Sequence, residues 1–240
     1  MNHEKAFKFK AFSVAQDRCA MKVGTDGVLL GAWASISQNP FSILDIGAGT
    51  GVIALMLAQR STAEIIDAIE IEANAYEQCV DNFEASDWND RLFCYHASLD
   101  EFATEIEDTY DLIVSNPPFY EENYKSKNTS RNQARFTDAL PFQELLKYTS
   151  QLLSEEGIFC TIIPYKHYEA FLAFAEAEQL HLQKVTFVKG NKNSPIKRCL
   201  LQFGFTSVQT PEKAELIIET KRHQYTQAYK ELVKDFYLKM

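Results

Sequence analysis

Short apolar runs alternate with segments of helical periodicity along most of the chain. The runs predict strands over residues 42–46, 65–70, 92–95, 111–115, 157–163, 184–188 and 197–205. Helices are predicted near residues 51–60, 73–86, 99–105, 139–153 and 165–178. Continuously apolar strands that alternate with helices are typical of a mostly parallel sheet covered on both faces. The sequence therefore predicts an α/β fold with seven strands.

No repeat, linker or low-complexity segment divides the 240 residues. We therefore expect one domain over residues 1–240, with an N-terminal extension (about 1–38) and a C-terminal helix (about 224–240). The longest uninterrupted apolar stretch, Val52 to Ala58, is far too short to cross a membrane. Because no apolar segment follows the basic N-terminal residues, we also expect no secretory signal and a cytoplasmic location.

The cysteines and histidines give little basis for disulfides or metal binding. The five cysteines are scattered and never form a C-x-x-C pair, and the five histidines are equally dispersed. We therefore expect free thiols in a reducing compartment and no metal site. The motifs of serine hydrolases and of P-loop phosphotransfer proteins are also missing from the sequence.

A glycine-rich loop, Asp45-Ile46-Gly47-Ala48-Gly49-Thr50-Gly51, joins the first predicted strand directly to a helix. Its glycines permit a sharp turn and the close approach of a ligand. A dinucleotide-binding loop would have the spacing G-x-G-x-x-G, whereas this one is G-x-G-x-G. The spacing therefore disfavours an NAD-dependent oxidoreductase.

Two carboxylates, Asp45 and Glu70, flank this loop and indicate what it binds. A carboxylate at the position of Asp45 would repel a pyrophosphate, but it suits the ammonium group of S-adenosylmethionine. Glu70 ends the second strand and is placed to accept hydrogen bonds from ribose hydroxyls. We therefore predict an S-adenosylmethionine site.

A second motif, Asn116-Pro117-Pro118-Phe119, follows the fourth predicted strand. Pro117 forces Asn116 into an extended conformation, and the paired prolines stiffen the segment. The Asn116 side-chain oxygen and the Pro117 carbonyl then form two fixed acceptors that match the hydrogens of a planar amino group. Phe119 offers a flat face to an aromatic base. The motif predicts methyl transfer to a conjugated amine by positioning, without a strong base.

These motifs resemble those of the class I amino-methyltransferases with an N-P-P-[YF] motif, whose fold is Rossmann-like. More closely, the chain resembles the bacterial tRNA adenine-N6-methyltransferases that modify adenine 37 beside the valine-tRNA anticodon. Three segments carry this closer resemblance: Phe9 to Trp33, which includes Lys22 to Gly31; Asn128 to Phe136, which contains Asn132 to Phe136; and Tyr225 to Met240. The resemblance implies a cytoplasmic enzyme that methylates N6 of a tRNA adenine, and it is compatible with a monomer.

The resemblance also implies roles for individual residues. Asn116, Pro117, Pro118 and Phe119 would hold the base. Thr25 and Asp26 would border the methionine part of the cofactor. The cofactor would contact Asp45, Gly47, Gly49, Gly51, Glu70, Asn116 and Ser98. Ser98 departs from the family pattern, since related enzymes often have an acidic residue that contacts the cofactor adenine.

The net charge of −9 is unfavourable for binding RNA, but its distribution changes this interpretation. Fifteen acidic residues lie between Asp45 and Asp108 against two arginines, whereas basic residues cluster in three other segments. From these clusters, the predicted RNA-binding residues are Lys8, Lys10, Lys22, Lys125, Lys127, Arg131, Arg135, Lys192, Lys197 and Arg198. The aromatic residues of the segment 7–12 would either stack on bases or pack in the core as an edge strand.

Three alternatives remain open from the sequence. The same chemistry serves guanine N2 in rRNA and the glutamine amide of a protein substrate. Enzymes of the first kind are often longer, and those of the second typically have tyrosine at the position of Phe119. The third alternative is a non-catalytic RNA-binding module on the same fold.

Overall fold

The computed structural model of the chain describes residues 6–118 and 141–239. Two short strands, β1 (Phe7–Lys8) and β2 (Ser13–Val14), form a separate hairpin. The strands of the main sheet are β3 (Ser42–Ile46), β4 (Ile65–Glu70), β5 (Leu92–His96), β6 (Tyr110–Ser115), β7 (Leu153–Pro164), β8 (His181–Asn191), β9 (Ile196–Gly204), β10 (Glu212–Lys221) and β11 (Gln224–Tyr225). The helices in the described part of the chain are α1 (Thr25–Trp33), α2 (Val52–Arg60), α3 (Ala73–Glu84), α4 (Leu99–Glu105), α5 (Phe142–Leu152), α6 (Tyr168–Ala177) and α7 (Gln227–Val233).

The strand order in the main sheet is β11-β10-β8-β9-β7-β6-β3-β4-β5. Strand β9 runs antiparallel to both β7 and β8, and β11 runs antiparallel to β10, while the other neighbouring pairs are parallel. The predicted α/β class is confirmed, and all seven predicted strands are present. The parallel strands therefore end at one edge of the sheet, which we call the carboxyl edge.

The sheet has two strands more than the seven predicted, β10 and β11. Strand β10 has the sequence Glu-Lys-Ala-Glu-Leu-Ile-Ile-Glu-Thr-Lys, and only Leu216 in it is buried. Such a polar segment does not show the apolar run that the other strands show. It pairs in parallel with β8, about thirty residues earlier in the chain, with Leu216 opposite Val188. Pairing with a neighbouring strand, rather than its own composition, therefore makes this segment a strand.

Helix α1 lies inside the predicted N-terminal extension and was not predicted as a helix. It contains Gly27 and Gly31, and glycine in a helix interior costs about 1 kcal/mol relative to alanine. Packing explains Gly31, because a Cβ placed there would lie 2.8 Å from the Met56 sulfur of α2. Helices α1, α2, α3 and α7 contribute to the core on one face of the sheet, and α4, α5 and α6 to the core on the other.

The chain termini pack against each other beside α1. Phe9 and Phe12 are buried, and the Lys10 amide donates to the Phe236 carbonyl at 2.8 Å. The Phe9 ring stacks on Tyr237, with centroids 5.9 Å apart. For these two phenylalanines, packing in the core is therefore the correct alternative. The C-terminal helix is shorter than predicted, since α7 ends at Val233.

The only two basic residues of the acidic segment, Arg60 and Arg91, both bind backbone carbonyls. Arg60 donates from Nη1 to the carbonyls of Gly31 at 2.7 Å and Ala34 at 3.0 Å, which end α1. Arg91 donates from Nη2 to the carbonyl of Ala58 at 2.7 Å, near the end of α2. Each cation thus satisfies carbonyls that a helix end leaves without intrahelical partners.

We expect Arg60→Met to lower the free energy of unfolding by about 1–3 kcal/mol, because it leaves half-buried carbonyls of α1 without a donor. Urea denaturation followed by circular dichroism measures this change. Lys213→Met, on an exposed residue of β10, is the control and should stay within about 0.5 kcal/mol of the wild type. Equal stability of the two variants would show that Arg60 does not hold α1.

Candidate active site

The predicted glycine loop joins β3 to α2 at the carboxyl edge. Gly47, Gly49 and Gly51 have φ values of 72°, 57° and 76°, in the left-handed region that favours glycine. The amides of Gly47 and Ala48 both donate to the Ile69 carbonyl at 3.0 Å, which fixes the loop to the end of β4. A Cβ on Gly51 would lie 2.5 Å from the Phe83 ring, whereas Cβ atoms on Gly47 and Gly49 would meet nothing within 4 Å. The first two glycines thus face open space in which a ligand can approach the backbone.

Asp45 lies behind this loop and is fully buried. Its Oδ2 accepts a hydrogen bond from the Ala54 amide of α2 at 3.2 Å, and Oδ1 has no partner among the described residues. Burial raises the pKa of Asp45 to about 7, the Ala54 hydrogen bond opposes this, and the charge of Glu70 adds to it. An unpartnered buried carboxylate oxygen suits a cationic group, so contact between Asp45 and the ammonium of S-adenosylmethionine stays a prediction.

Glu70 ends β4 beside the loop and is half-buried. Its Oε2 accepts from the Gly49 amide at 2.8 Å and its Oε1 from the Glu72 amide at 2.9 Å. The carboxylate therefore holds the loop, a role that the sequence did not reveal. Each carboxylate oxygen can accept more than one hydrogen bond, so contact with ribose hydroxyls stays a prediction that this geometry allows.

The Asn-Pro-Pro motif begins where β6 ends, next to the glycine loop. Ile46 lies opposite Ser115 in the parallel register of β3 and β6, and the Ser115 hydroxyl donates to the Ile46 carbonyl at 3.0 Å. Asn116 and Gly47 are the next residues of the two strands. Asn116 is half-buried and Pro117 is buried. Phe119, the fourth residue of the motif, lies outside the described residues.

Helix α1 begins beside Asn116. A Cβ on Gly27 would lie 4.0 Å from the Asn116 Nδ2 and 3.5 Å from the Val52 side chain, which are ordinary contact distances, so the first turn of the helix lies close to both predicted motifs. The neighbouring Thr25 is exposed and Asp26 is half-buried. The structure thus brings the segment around Thr25 and Asp26 to the site, while their contact with the cofactor stays a prediction.

Arg198 was predicted to bind RNA, but the structure gives it another partner. Its Nε donates to the Asp26 Oδ2 at 2.8 Å, and both side chains are about 29% exposed. The ion pair joins the start of β9 to the start of α1. The sequence does not reveal this contact because 172 positions separate the two residues. Arg198 is therefore paired with a carboxylate at the rim of the site, and its role in binding RNA stays a prediction.

Ser98 immediately precedes α4 as its N-cap residue. Its hydroxyl donates to the Glu101 Oε2 at 2.7 Å, and its amide donates to the same oxygen at 3.1 Å. This is the capping-box arrangement, which stabilises the helix start. The hydroxyl oxygen can still accept a hydrogen bond, so a contact with the cofactor adenine stays a prediction.

The other predicted RNA-binding residues fall into three groups. Lys8, Lys22, Lys192 and Lys197 are exposed. Lys10 is also exposed, but its ammonium donates to the Lys234 carbonyl at the end of α7. The positions outside the described residues are Lys125, Lys127, Arg131 and Arg135. Among the described residues, no group of histidine, cysteine or acidic side chains is arranged to hold a metal ion, and no helix is long and apolar enough to cross a membrane.

Sequence reasoning missed Asn82, a buried residue of α3 that orders the glycine loop. Its Nδ2 donates to the carbonyls of Thr50 and Ala15 at 2.9 Å, and its Oδ1 accepts from the Ala15 amide at 2.8 Å. One side chain thus ties the loop to the segment that precedes α1. An asparagine in a helix gives no local signal of such a contact, so only the structure shows it.

Comparison with known proteins shows which family this chain belongs to. The methyltransferase small domain family matches residues 32–167. A protein of Christiangramia forsetii is 61% identical over 236 residues, which cover 98% of each chain. A protein of Flavobacterium johnsoniae is 61% identical over 234 residues, which cover 98% of this chain and 100% of the relative. Both are named tRNA1(Val) (adenine(37)-N6)-methyltransferase. The chain belongs to this methyltransferase family.

Solved structures support the fold of the methyltransferase at lower identity. A predicted O-methyltransferase from Agrobacterium tumefaciens is 18% identical, with a TM-score of 0.65, over 88% of this chain and 96% of its own. A ribosomal protein L11 methylase from Lactobacillus delbrueckii is 15% identical, with a TM-score of 0.52, over 74% of this chain and 76% of its own. The class I methyltransferase fold is thus confirmed, and family membership confirms S-adenosylmethionine as the methyl donor.

We expect the methyltransferase to bind S-adenosylmethionine more weakly as the pH falls through about 7. The raised pKa of Asp45 means that the carboxyl is protonated below this pH, so the charge that attracts the cofactor ammonium is lost. Calorimetry between pH 5.5 and 8.5 measures the dissociation constant. Asp45→Asn should bind weakly at every pH, and its dissociation constant should vary less than that of the wild type. The same pH dependence in both proteins would exclude Asp45 as the titrating group.

Proposed function

We propose that the protein transfers a methyl group from S-adenosylmethionine to N6 of adenine 37 in a valine tRNA. The observation that carries the proposal is the position of Asn116 and Pro117 beside the glycine loop, fixed by the Ser115–Ile46 hydrogen bond. The names of relatives at 61% identity over nearly the full chain support the substrate.

The reaction requires that the amino nitrogen of adenine becomes nucleophilic. Its lone pair is normally delocalised into the ring. Asn116 and Pro117 supply two oxygen acceptors, the side-chain amide and the backbone carbonyl, that suit the two amino hydrogens. When these acceptors hold the hydrogens, the nitrogen can move towards tetrahedral geometry and its lone pair becomes available. The chain thus contributes fixed dipoles and orientation rather than a base.

S-adenosylmethionine supplies an electrophilic methyl group on a sulfonium centre. Gly47 and Gly49 leave space for it at the loop, and Asp45 and Glu70 supply carboxylate oxygens on either side. The described site contains more acceptors and negative charge than donors. This balance suits a cationic cofactor and disfavours a dinucleotide pyrophosphate.

The alternatives differ in substrate or in activity. Guanine N2 in rRNA and a protein glutamine amide would also fit two acceptors, so Asn116 and Pro117 do not separate them from adenine. The full-length similarity to relatives named for adenine 37 favours the tRNA. A non-catalytic RNA-binding module would have no need for the two acceptors beside a cofactor loop. We also propose a cytoplasmic location and a single domain.

We expect Asn116→Ala to lower kcat by about 10²–10³-fold, as for the loss of one preorganised polar group at a reacting centre. Binding of S-adenosylmethionine should persist, because Asp45 and Glu70 remain in place. Single-turnover methylation and calorimetry measure the two quantities on the same preparation. Asn89→Ala, an exposed change far along the chain from the motif, is the control. Wild-type turnover in Asn116→Ala would refute the proposed mechanism.

The substrate is tested by incubating the protein with S-adenosylmethionine and bacterial tRNA that lacks this modification, followed by nucleoside mass spectrometry. N6-methyladenosine that maps to position 37 of valine tRNA is the expected product. If the cofactor binds but tRNA receives no methyl group, the proposal fails. Methylated guanosine in rRNA or methylated glutamine in protein would then identify the alternative.

A further inference from the structure

A groove runs along the surface from the start of α1 to the C-terminal residues. Its volume is about 630 Å³, within the usual range of ligand sites. Segments from four parts of the chain line it, namely the β1 strand, the residues before α1, the β10–β11 hairpin and the residues around α7. We call it the terminal groove, because the two chain ends form two of its walls.

Aromatic rings form much of the lining of the terminal groove. Phe7, Tyr225 and Tyr237 are half-buried and Tyr229 is buried. The rings contact one another in two pairs, with centroids of Phe7 and Tyr237 6.1 Å apart and those of Tyr225 and Tyr229 5.2 Å apart. Half-buried rings held by neighbours are rigid platforms on which unpaired nucleic-acid bases stack.

The charge around the groove contrasts with that of the protein as a whole. Lys8 and Lys239 line it with exposed side chains, and two more exposed cations adjoin it, Lys221 at the end of β10 and Arg222 in the turn that follows. The one acidic lining residue, Glu219, accepts a hydrogen bond from the His223 amide at 3.2 Å and so contributes to that turn. A cationic rim on a protein of net charge −9 is complementary to a phosphate backbone.

The groove reaches the start of α1, the helix that begins beside Asn116. Gly24 and Thr25 line it, and Thr25 is the first residue of α1. Gly27, two residues further along the same helix, is where a Cβ would lie 4.0 Å from the Asn116 Nδ2. Two residues of a helix span about 3 Å of rise and about 200° of rotation, so the groove and the predicted base-holding residue lie near each other on different sides of the start of α1.

We propose that the terminal groove binds single-stranded RNA next to the target adenine, with a base stacked on the Tyr225 and Tyr237 rings and phosphates on Lys8 and Lys239. This inference rests on the proposed function and deepens it. Stacking on aromatic rings and contact with basic residues are how proteins recognise unpaired RNA loops. The groove therefore supplies an RNA-binding surface that does not depend on the residues after the Asn-Pro-Pro motif.

Two variants test the two parts of the proposal separately. Tyr225→Leu keeps an apolar side chain but removes the stacking plane, and it should weaken binding of unmodified tRNA roughly 5- to 100-fold. In a plot of log affinity against log salt concentration, the double variant Lys8→Gln, Lys239→Gln should have a slope that is smaller in magnitude by about 1.4 than that of the wild type. This change corresponds to the loss of two phosphate contacts on a single strand. Fluorescence anisotropy between 50 and 200 mM salt measures both, at roughly physiological and lower ionic strengths.

A double variant of equal charge, Lys147→Gln, Lys213→Gln, is the matched control, since these lysines lie outside the groove. It should keep the wild-type salt dependence, and all variants should bind S-adenosylmethionine as the wild type does. Thermal melting shows whether Tyr225→Leu folds, and if it does not, the lysine variant decides. Unchanged tRNA affinity and salt dependence in the groove variants would overturn the proposal.

The failure of this inference differs from the failure of the proposed function. A wild-type protein that makes no methylated adenine in tRNA contradicts the proposed function. A wild-type protein that methylates tRNA, together with groove variants of unchanged affinity, contradicts only the groove. If the groove variants instead change the sedimentation of the protein alone and leave tRNA binding intact, the groove holds a second copy of the chain and the RNA proposal is wrong.

Discussion

The active site depends on the parallel pairing of β3 with β6. This register places Ile46 opposite Ser115, so the glycine loop and the Asn-Pro-Pro motif leave the sheet side by side. A slip of one residue would turn the buried side chains of β6 to the other face and separate the two motifs. The Ser115 hydroxyl bonds to the Ile46 carbonyl at that point and reinforces the register. The predicted cofactor loop and the predicted amine-holding motif are thus brought together by backbone pairing, in the crevice where the strand order reverses.

The elements outside the sheet close this crevice by contacts far apart in sequence. Asn82 ties the loop to the segment before α1, Arg60 holds the end of α1, and the Asp26–Arg198 pair joins its start to β9. These are polar contacts at partly or fully buried places, where the loss of one partner costs most. Helix α1 is therefore held at both ends, and Gly31 lets it lie close against Met56 of α2.

The sequence was sufficient for elements whose environment is visible in their own residues. The seven predicted strands have short apolar runs, and the helix over 99–105 begins with a serine cap and an acidic third residue. The sequence was insufficient for elements whose structure depends on contacts with residues distant in the chain. Strand β10 is polar and forms because it pairs with β8. Helix α1 contains Gly31, which is unfavourable in an isolated helix but leaves room for Met56 of α2. The Asp26–Arg198 ion pair could not be predicted because 172 positions separate its two residues.

Net negative charge poses a physical problem for an enzyme that acts on a polyanion. The carboxylates Asp45 and Glu70 are predicted to bind the cationic cofactor, and negative charge at these positions would repel phosphates at the site. Binding then requires either local positive charge or an attraction that is independent of charge. Base stacking is of the second kind, since it depends on aromatic faces rather than on counterion release. The terminal groove combines a few cations with several aromatic rings and lies near the acidic cofactor site. In the proposed complex the carboxylates face the cationic cofactor, the rings face RNA bases and the lysines face phosphates, so the acidic site need not bind the RNA backbone.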